Sequence, residues 1–152
     1  MLIQSLFIKM SKEKEKELQY NIDLSKARLS LAKERLMYAD KILEIGDYKT
    51  VANRSYYAVF SAMRAVLALD NFDSKKHSGV ISEFRRKYIK TEVFPIELSD
   101  TITELEYVRQ NSDYDDFYVI SKQKVSQQLD LAKEFVTVIE KHLTNLYNNE
   151  PS

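Results

Sequence analysis

The 152 residues balance 23 Lys and Arg against 23 Asp and Glu, for a formal net charge of zero. That length suits one domain around one core, and that balance excludes a protein that coats polyanions over its whole surface, while leaving room for a local basic site. Cysteine is absent, which excludes disulfides, thiolate catalysis and Cys-based zinc sites and accords with the cytoplasmic location we expect.

Only two Gly and two Pro occur, too few for β-hairpins or a glycine-rich phosphate loop. The composition predicts an all-α fold of long helices. No apolar run approaches the roughly 18 residues of a membrane span, so no membrane role is expected. Residues 1–10, M-L-I-Q-S-L-F-I-K-M, lack the basic start and small-residue cleavage site of a signal peptide. We read them as a flexible extension, or as a start placed too early with Met10 the true one. Mass spectrometry of the natively expressed protein decides between these.

The first helix is expected from about Ser11 or Glu17 to Ile45. Leu18, Ile22, Ser25, Leu29, Ala32, Leu36, Ala39 and Leu43 recur at alternating steps of four and three, a heptad seam. Gly46 stands where a left-handed C-terminal cap is wanted, and Asp47 can cap the next helix. The tight connection implies an antiparallel hairpin.

The second helix, to Asp70, has only Arg64 charged between Arg54 and Asp70. A helix so apolar must be covered on most sides. Tyr56, Val59, Phe60, Met63, Val66 and Leu67 form a bulky face. The opposite face carries Arg54, Tyr57, Ala58, Ser61, Ala62, Arg64 and Ala65, small enough for close approach of another helix, a second subunit or an anion. In a covered helix both arginines need partners, and acidic residues within the bundle are one choice.

A polar loop, 70–78, leads to a shorter helix over Ser78–Lys90. Its buried stripe is Val80, Ile81, Phe84 and Tyr88; its basic face, with Arg85, Arg86, Lys87 and Lys90, is either solvated or an anion contact. Pro95 opens a fourth helix with Ile96, Ile102, Leu105 and Val108 inward, ending near Asn111 with Arg109 in its last turn. Its acidic residues are expected to complement the basic third helix. A last helix, Ser121–Tyr147, repeats the heptad pattern. His142, near its end, is expected at the surface, and residues 148–152 are expected to fray.

Three segments in this order, N-R-S-Y-Y-A-V-F-S-A at 53–62, K-K-H-S-G-V-I-S-E-F at 75–84 and R-Q-N-S-D-Y at 109–114, resemble the HEPN domain (higher eukaryotes and prokaryotes nucleotide-binding). The likeness is to its small stand-alone prokaryotic members and spans about residues 20–145. The resemblance implies an up-and-down bundle of four main helices plus a short one, here a single domain over 11–147. It implies a homodimer and a minimal nucleotidyltransferase as partner, in a toxin–antitoxin-like system. Catalytic members are metal-independent endoribonucleases marked by an arginine followed four to six residues later by a histidine. Here Asp113 and Tyr114 stand four and five residues after Arg109. Neither substitutes readily for imidazole, because Asp is ionised and Tyr protonated at neutral pH. His77 is the candidate replacement, able to approach Arg109 in the fold; a cap or loop hydrogen bond is its plainer role. Some members carry a tyrosine that the nucleotidyltransferase adenylylates, and Tyr114 and Tyr118 lie in the corresponding region.

Three readings follow. In the first, a nucleotide- or RNA-binding module uses a cleft of Arg54, Tyr57, Arg64, His77, Arg109, Asp113 and Tyr114, since arginine and tyrosine suit phosphate pairing and base stacking. In the second, the protein is a ribonuclease toxin using Arg109 and His77. In the third, it is a structural bundle in which Arg54, Asp113 and Tyr114 form a buried network. No cofactor is expected. No Glu-x-x-His pair projects from the seams as di-iron bundles require, so no metal is expected either.

Overall fold

The computed structural model describes residues 2–149, and among these it contains five α-helices and no strand. They are α1 (Leu2–Ile45), α2 (Tyr48–Leu69), α3 (His77–Phe84), α4 (Ile96–Tyr114) and α5 (Lys122–Asn148). The all-α fold anticipated from composition is observed, in a bundle consistent with the one that the resemblance implies. α2 sits at its centre, in contact with α1, α3, α4 and α5. Residues 150–152 of the expected frayed tail lie outside the described residues.

The α1–α2 hairpin turns as its caps dictate. Gly46 adopts φ +92°, a conformation that costs glycine no Cβ clash, and its N–H reaches the carbonyls of Ile42 at 3.1 Å and Leu43 at 3.2 Å. Asp47 then caps α2, accepting from the Thr50 N–H at 3.3 Å and the Thr50 hydroxyl at 2.6 Å. The small face of α2 receives α1: Ala58, Ala62 and Ala65 are fully buried, and α1 reaches across with Arg28 to the Arg64 carbonyl and Arg35 to the Tyr57 carbonyl. The bulky face, Tyr56 to Leu67, faces the core. Ser25, the polar member of the α1 seam, is fully buried and shares a 2.6 Å hydrogen bond with the Tyr147 hydroxyl.

Several boundaries differ from the sequence-based expectation. α1 begins at Leu2 rather than at Ser11 or Glu17. Its Lys–Glu run consists of good helix formers with opposite charges at i,i+3. All described side chains from residue 3 to residue 20 are exposed, so Leu18 projects beyond the packed seam, which starts at Asn21 and Ile22. The third helix is not one α-helix to Lys90. After Phe84 it widens into a π turn, Arg85–Ile89, closed by the Lys90 N–H on the Arg85 carbonyl at 2.9 Å. Residues five apart on an α-helix point roughly 140° from one another; the wider turn lets both Phe84 and Ile89 face the core. α4 continues three residues past Asn111, so Arg109 lies more than a turn before its end, and Ile96 is exposed.

The basic side of α3 does not pair with the carboxylates of α4. Arg85 donates instead to the Ser99 hydroxyl at 3.0 Å, the Ser99 carbonyl at 3.1 Å and the Thr103 hydroxyl at 2.7 Å. Arg86 pairs with Glu83 on its own helix, and Lys87 with Asp70 at 3.4 Å. His142 is half-buried rather than a surface residue, edge-on to Phe94 at 4.9 Å.

Phe84 is fully buried among Tyr88, Phe94 and Phe135, with ring centroids 5.7, 5.8 and 5.8 Å away. Phe84→Ala should cost about 3–5 kcal/mol, read as a lower urea midpoint. A loss under about 1 kcal/mol would mean that this aromatic cluster does not hold α3 to α5.

Candidate functional site

The site is built on one face of α2 and on the facing turns of α3 and α4. Tyr56 is fully buried, yet it touches both residues that sequence had singled out for chemistry. Its hydroxyl lies 3.2 Å from His77 Nδ1. On the Arg109 side, the guanidinium carbon lies 4.7 Å from the Tyr56 ring centre and 5.8 Å from that of Tyr57, within the range of cation–π attraction. His77 opens α3 and packs on Phe60, with ring centroids 4.2 Å apart. The histidine therefore comes from a different helix, and a shared tyrosine joins it to Arg109.

Asp113 sits one helical turn beyond Arg109 and accepts from Arg109 Nη1 at 3.3 Å. The Arg109 side chain is only 12% exposed, and its Nε is buried without a hydrogen-bond partner among the described residues. A buried guanidinium nitrogen without an acceptor is costly, so the site is one acceptor short. Tyr56 is pushed up to about 12 by burial, with Glu106 adding and Arg109 opposing, so its hydroxyl keeps its proton. His77 is held below its ordinary value by burial, then by the positive charges of Arg109 and Arg64 against the opposing Glu106. It is neutral at neutral pH, the form able to accept a proton.

The other predicted site residues part company from this cluster. Arg54 does not close a buried network with Asp113 and Tyr114. It is exposed, and its side chain makes no ion pair or hydrogen bond among the described residues. Arg64 pairs with Asp73 at 3.2 Å, and Arg28 binds the same carboxylate at 3.1 Å. Tyr114 is 80% exposed and packs on nothing near Arg54; Tyr118 is half-buried against the core. Tyr57 stays with the cluster.

Sequence reading missed Phe60, Glu106 and Arg35. The first two were findable, since Phe60 is one turn after Tyr56 on α2 and Glu106 is three residues before Arg109 on α4. Arg35 carried no local signal. A groove of about 560 Å³ between α4 and α5 is lined mainly by carboxylates, Glu97, Asp100, Glu104 and Glu134, with Lys124 among them. Among the described residues no group of three or more His, Asp or Glu side chains could hold a metal ion.

Both histidines are held below 6.5, chiefly by burial. A lowered folded value means that the unfolded chain binds the proton more readily. Their contribution is present in full above pH about 6.5 and is lost as the pH falls through the lower folded values. The urea midpoint should thus fall on mild acidification, and the double variant His77→Gln, His142→Gln should flatten that fall. An unchanged slope would remove the histidines as its cause.

The comparisons with known proteins agree with this geometry. The HEPN domain family matches residues 25–142. A candidate toxin of Methanocaldococcus jannaschii is 31% identical over 127 residues, covering 84% of this chain and 86% of that protein. A UPF0332 protein of Thermotoga maritima is 30% identical over 115 residues, covering 76% and 87%. A second candidate toxin of M. jannaschii is 29% identical over 105 residues, covering 69% and 73%. The family match takes in α2, α3, α4 and every residue of the Tyr56 cluster, and with it the chain belongs to the HEPN domain family.

Proposed function

We propose that this HEPN domain is a toxin-like module that binds a nucleotide or RNA phosphate at Arg109 and His77, as one half of a toxin–antitoxin pair. The observation that carries this reading is the buried, unpartnered Nε of Arg109, whose guanidinium lies on the ring of the same Tyr56 whose hydroxyl meets His77. A phosphate oxygen supplies the missing acceptor, and a guanidinium binds it with charge-assisted hydrogen bonds. The half-buried Tyr57 beside it offers a ring face for a base. The toxin names of the two M. jannaschii relatives support the same direction. The likeness of the three motif segments supports a homodimer and a minimal nucleotidyltransferase as partner, and Tyr114, at 80% exposure, is the accessible acceptor for adenylylation.

A second reading, a metal-independent ribonuclease, is favoured by one observation: His77 is neutral and reaches the same tyrosine as Arg109. Here Arg109 would hold the phosphodiester while His77 would take the proton of the attacking 2′-hydroxyl and pass it to the departing 5′-oxygen, the new 2′-O–P bond replacing the P–O5′ bond and leaving a 2′,3′-cyclic phosphate. The Asp113 carboxylate on one side of Arg109 opposes a phosphate there in both readings.

Fluorescence anisotropy with labelled oligouridylate tests the first reading. Arg109→Ala should weaken binding about tenfold or more, the loss of one charged hydrogen-bonding group; equal affinity would sink it. The same mixtures, held in EDTA and resolved on a denaturing gel, test the second. Cleavage that disappears in both Arg109→Ala and His77→Ala would establish the ribonuclease, and intact RNA would dismiss it. Co-expression with a small nucleotidyltransferase encoded beside this chain should yield a complex, and separate elution of the two would reject the pairing.

A further inference from the structure

The first turns of α1 have no packing partner in their own chain. The packed seam of this helix starts at Asn21 and Ile22, and every described side chain from residue 3 to residue 20 is exposed. Three of these are large and apolar: Ile3 is 77% exposed, Leu6 58% and Ile8 58%. Helices in proteins draw most of their stability from packing an apolar face, and an apolar face left in water marks an interaction surface. This arm is also basic. From residue 2 to residue 12 its only charged residues are Lys9 and Lys12.

A groove of the opposite charge lies between α4 and α5. Its apolar members are Leu98, Leu131 and Phe135, and Leu131 is 37% exposed. Glu104 is paired with Lys124 at 2.5 Å. The carboxylates of Glu97, Asp100 and Glu134 make no ion pair or hydrogen bond among the described residues, and all three residues are exposed. An apolar floor inside an acidic rim suits a helix that presents aliphatic side chains beside lysines. Lysine stems cover apolar surface while their ammonium groups meet the carboxylates.

The arm cannot reach the groove of its own chain. Lys133 of α5 pairs with Asp40 of α1 at 2.7 Å, which sets the Leu131–Phe135 turn at the level of Asp40. Leu6 lies roughly 50 Å from that level along a continuous helix rising about 1.5 Å per residue. We propose that the α1 arm of one copy docks in the α4–α5 groove of a second copy, with Leu6 on Leu131 and with Lys9 and Lys12 on the rim carboxylates. Two copies lying antiparallel seat both arms at once, so the contact closes on itself rather than growing into a chain. The inference goes beyond the nucleotide reading and does not depend on Arg109 or His77.

The chain has no cysteine, so an introduced one is unique. Leu6→Cys protein mixed with Leu131→Cys protein in a glutathione redox buffer should form a mixed disulfide between copies, quantified by mass spectrometry. The control partner is Leu146→Cys, 40% exposed on the same helix about four turns further on. The mixed product should exceed the control by about tenfold or more, because a seated arm holds its thiol at an effective concentration far above that of the bulk protein. Adding Asp100→Lys and Glu134→Lys to the Leu131→Cys partner, at exposed positions, should cut the yield to the control level with an unchanged circular-dichroism melt. Adding Lys9→Glu and Lys12→Glu to the Leu6→Cys partner should then restore it. Equal yields with Leu131→Cys and Leu146→Cys overturn the proposal, and so does a yield indifferent to the charge reversals. A Leu6→Cys homodisulfide formed in place of the mixed product would assign the arm to the arm of another copy and also overturn it. The readout is the pairing of two surfaces, so a homodimer built on a different face leaves the mixed product at the control level and does not imitate the expected result.

Discussion

A tyrosine that the core encloses completely is what holds this molecule's chemistry in place. Tyr56 has no exposed surface, and its ring is fixed by Phe60 and Tyr57 of its own helix. His77 and Arg109 come from helices on either side of it. A ring locked by packing gives both groups a rigid reference, whereas on an exposed loop each would spend entropy to find the other. The same burial that stabilises α2 therefore positions the two polar groups. It also lowers the proton affinity of His77 and raises that of Tyr56.

Around this core the polar residues divide by whether packing supplies them with a partner. Arg28 and Arg64 meet on Asp73, and Arg85 is absorbed by serine and threonine oxygens. These contacts hold loops to helices, although the Arg64 Nε, like that of Arg109, is buried without a hydrogen-bond partner among the described residues. Arg109 is only partly satisfied, and Arg35 rests on neutral oxygens. Arg109 belongs to the third motif segment, and the imidazole that meets the hydroxyl of its tyrosine neighbour Tyr56 comes from α3.

The departure from the family's arginine–histidine spacing has a specific structural consequence. With Asp113 at the i+4 position, Arg109 meets a carboxylate on its own helix. That pairing is dictated by helical geometry, since i and i+4 side chains are neighbours. It leaves Nε free while engaging Nη1, and it weakens the field available to a phosphate.

Composition and periodicity by themselves determined a great deal. Two glycines and two prolines in 152 residues required long helices, the alternating steps of α1 and α5 marked the seams, and Gly46 and Asp47 marked caps that the structure contains. Those features depend on neighbours within a few residues, and local backbone physics decides them. The fate of Arg54 and Arg64 was not legible. Both lie on the same small-residue side of α2, yet Asp73 meets one and nothing meets the other. The meeting of His77 with Arg109, and of Arg35 with Tyr57, likewise depends on how far α1, α3 and α4 slide and rotate against α2. That register is set by the interlocking of many side chains at once, so only the tertiary structure decided which charges were buried with partners and which were left open at the site.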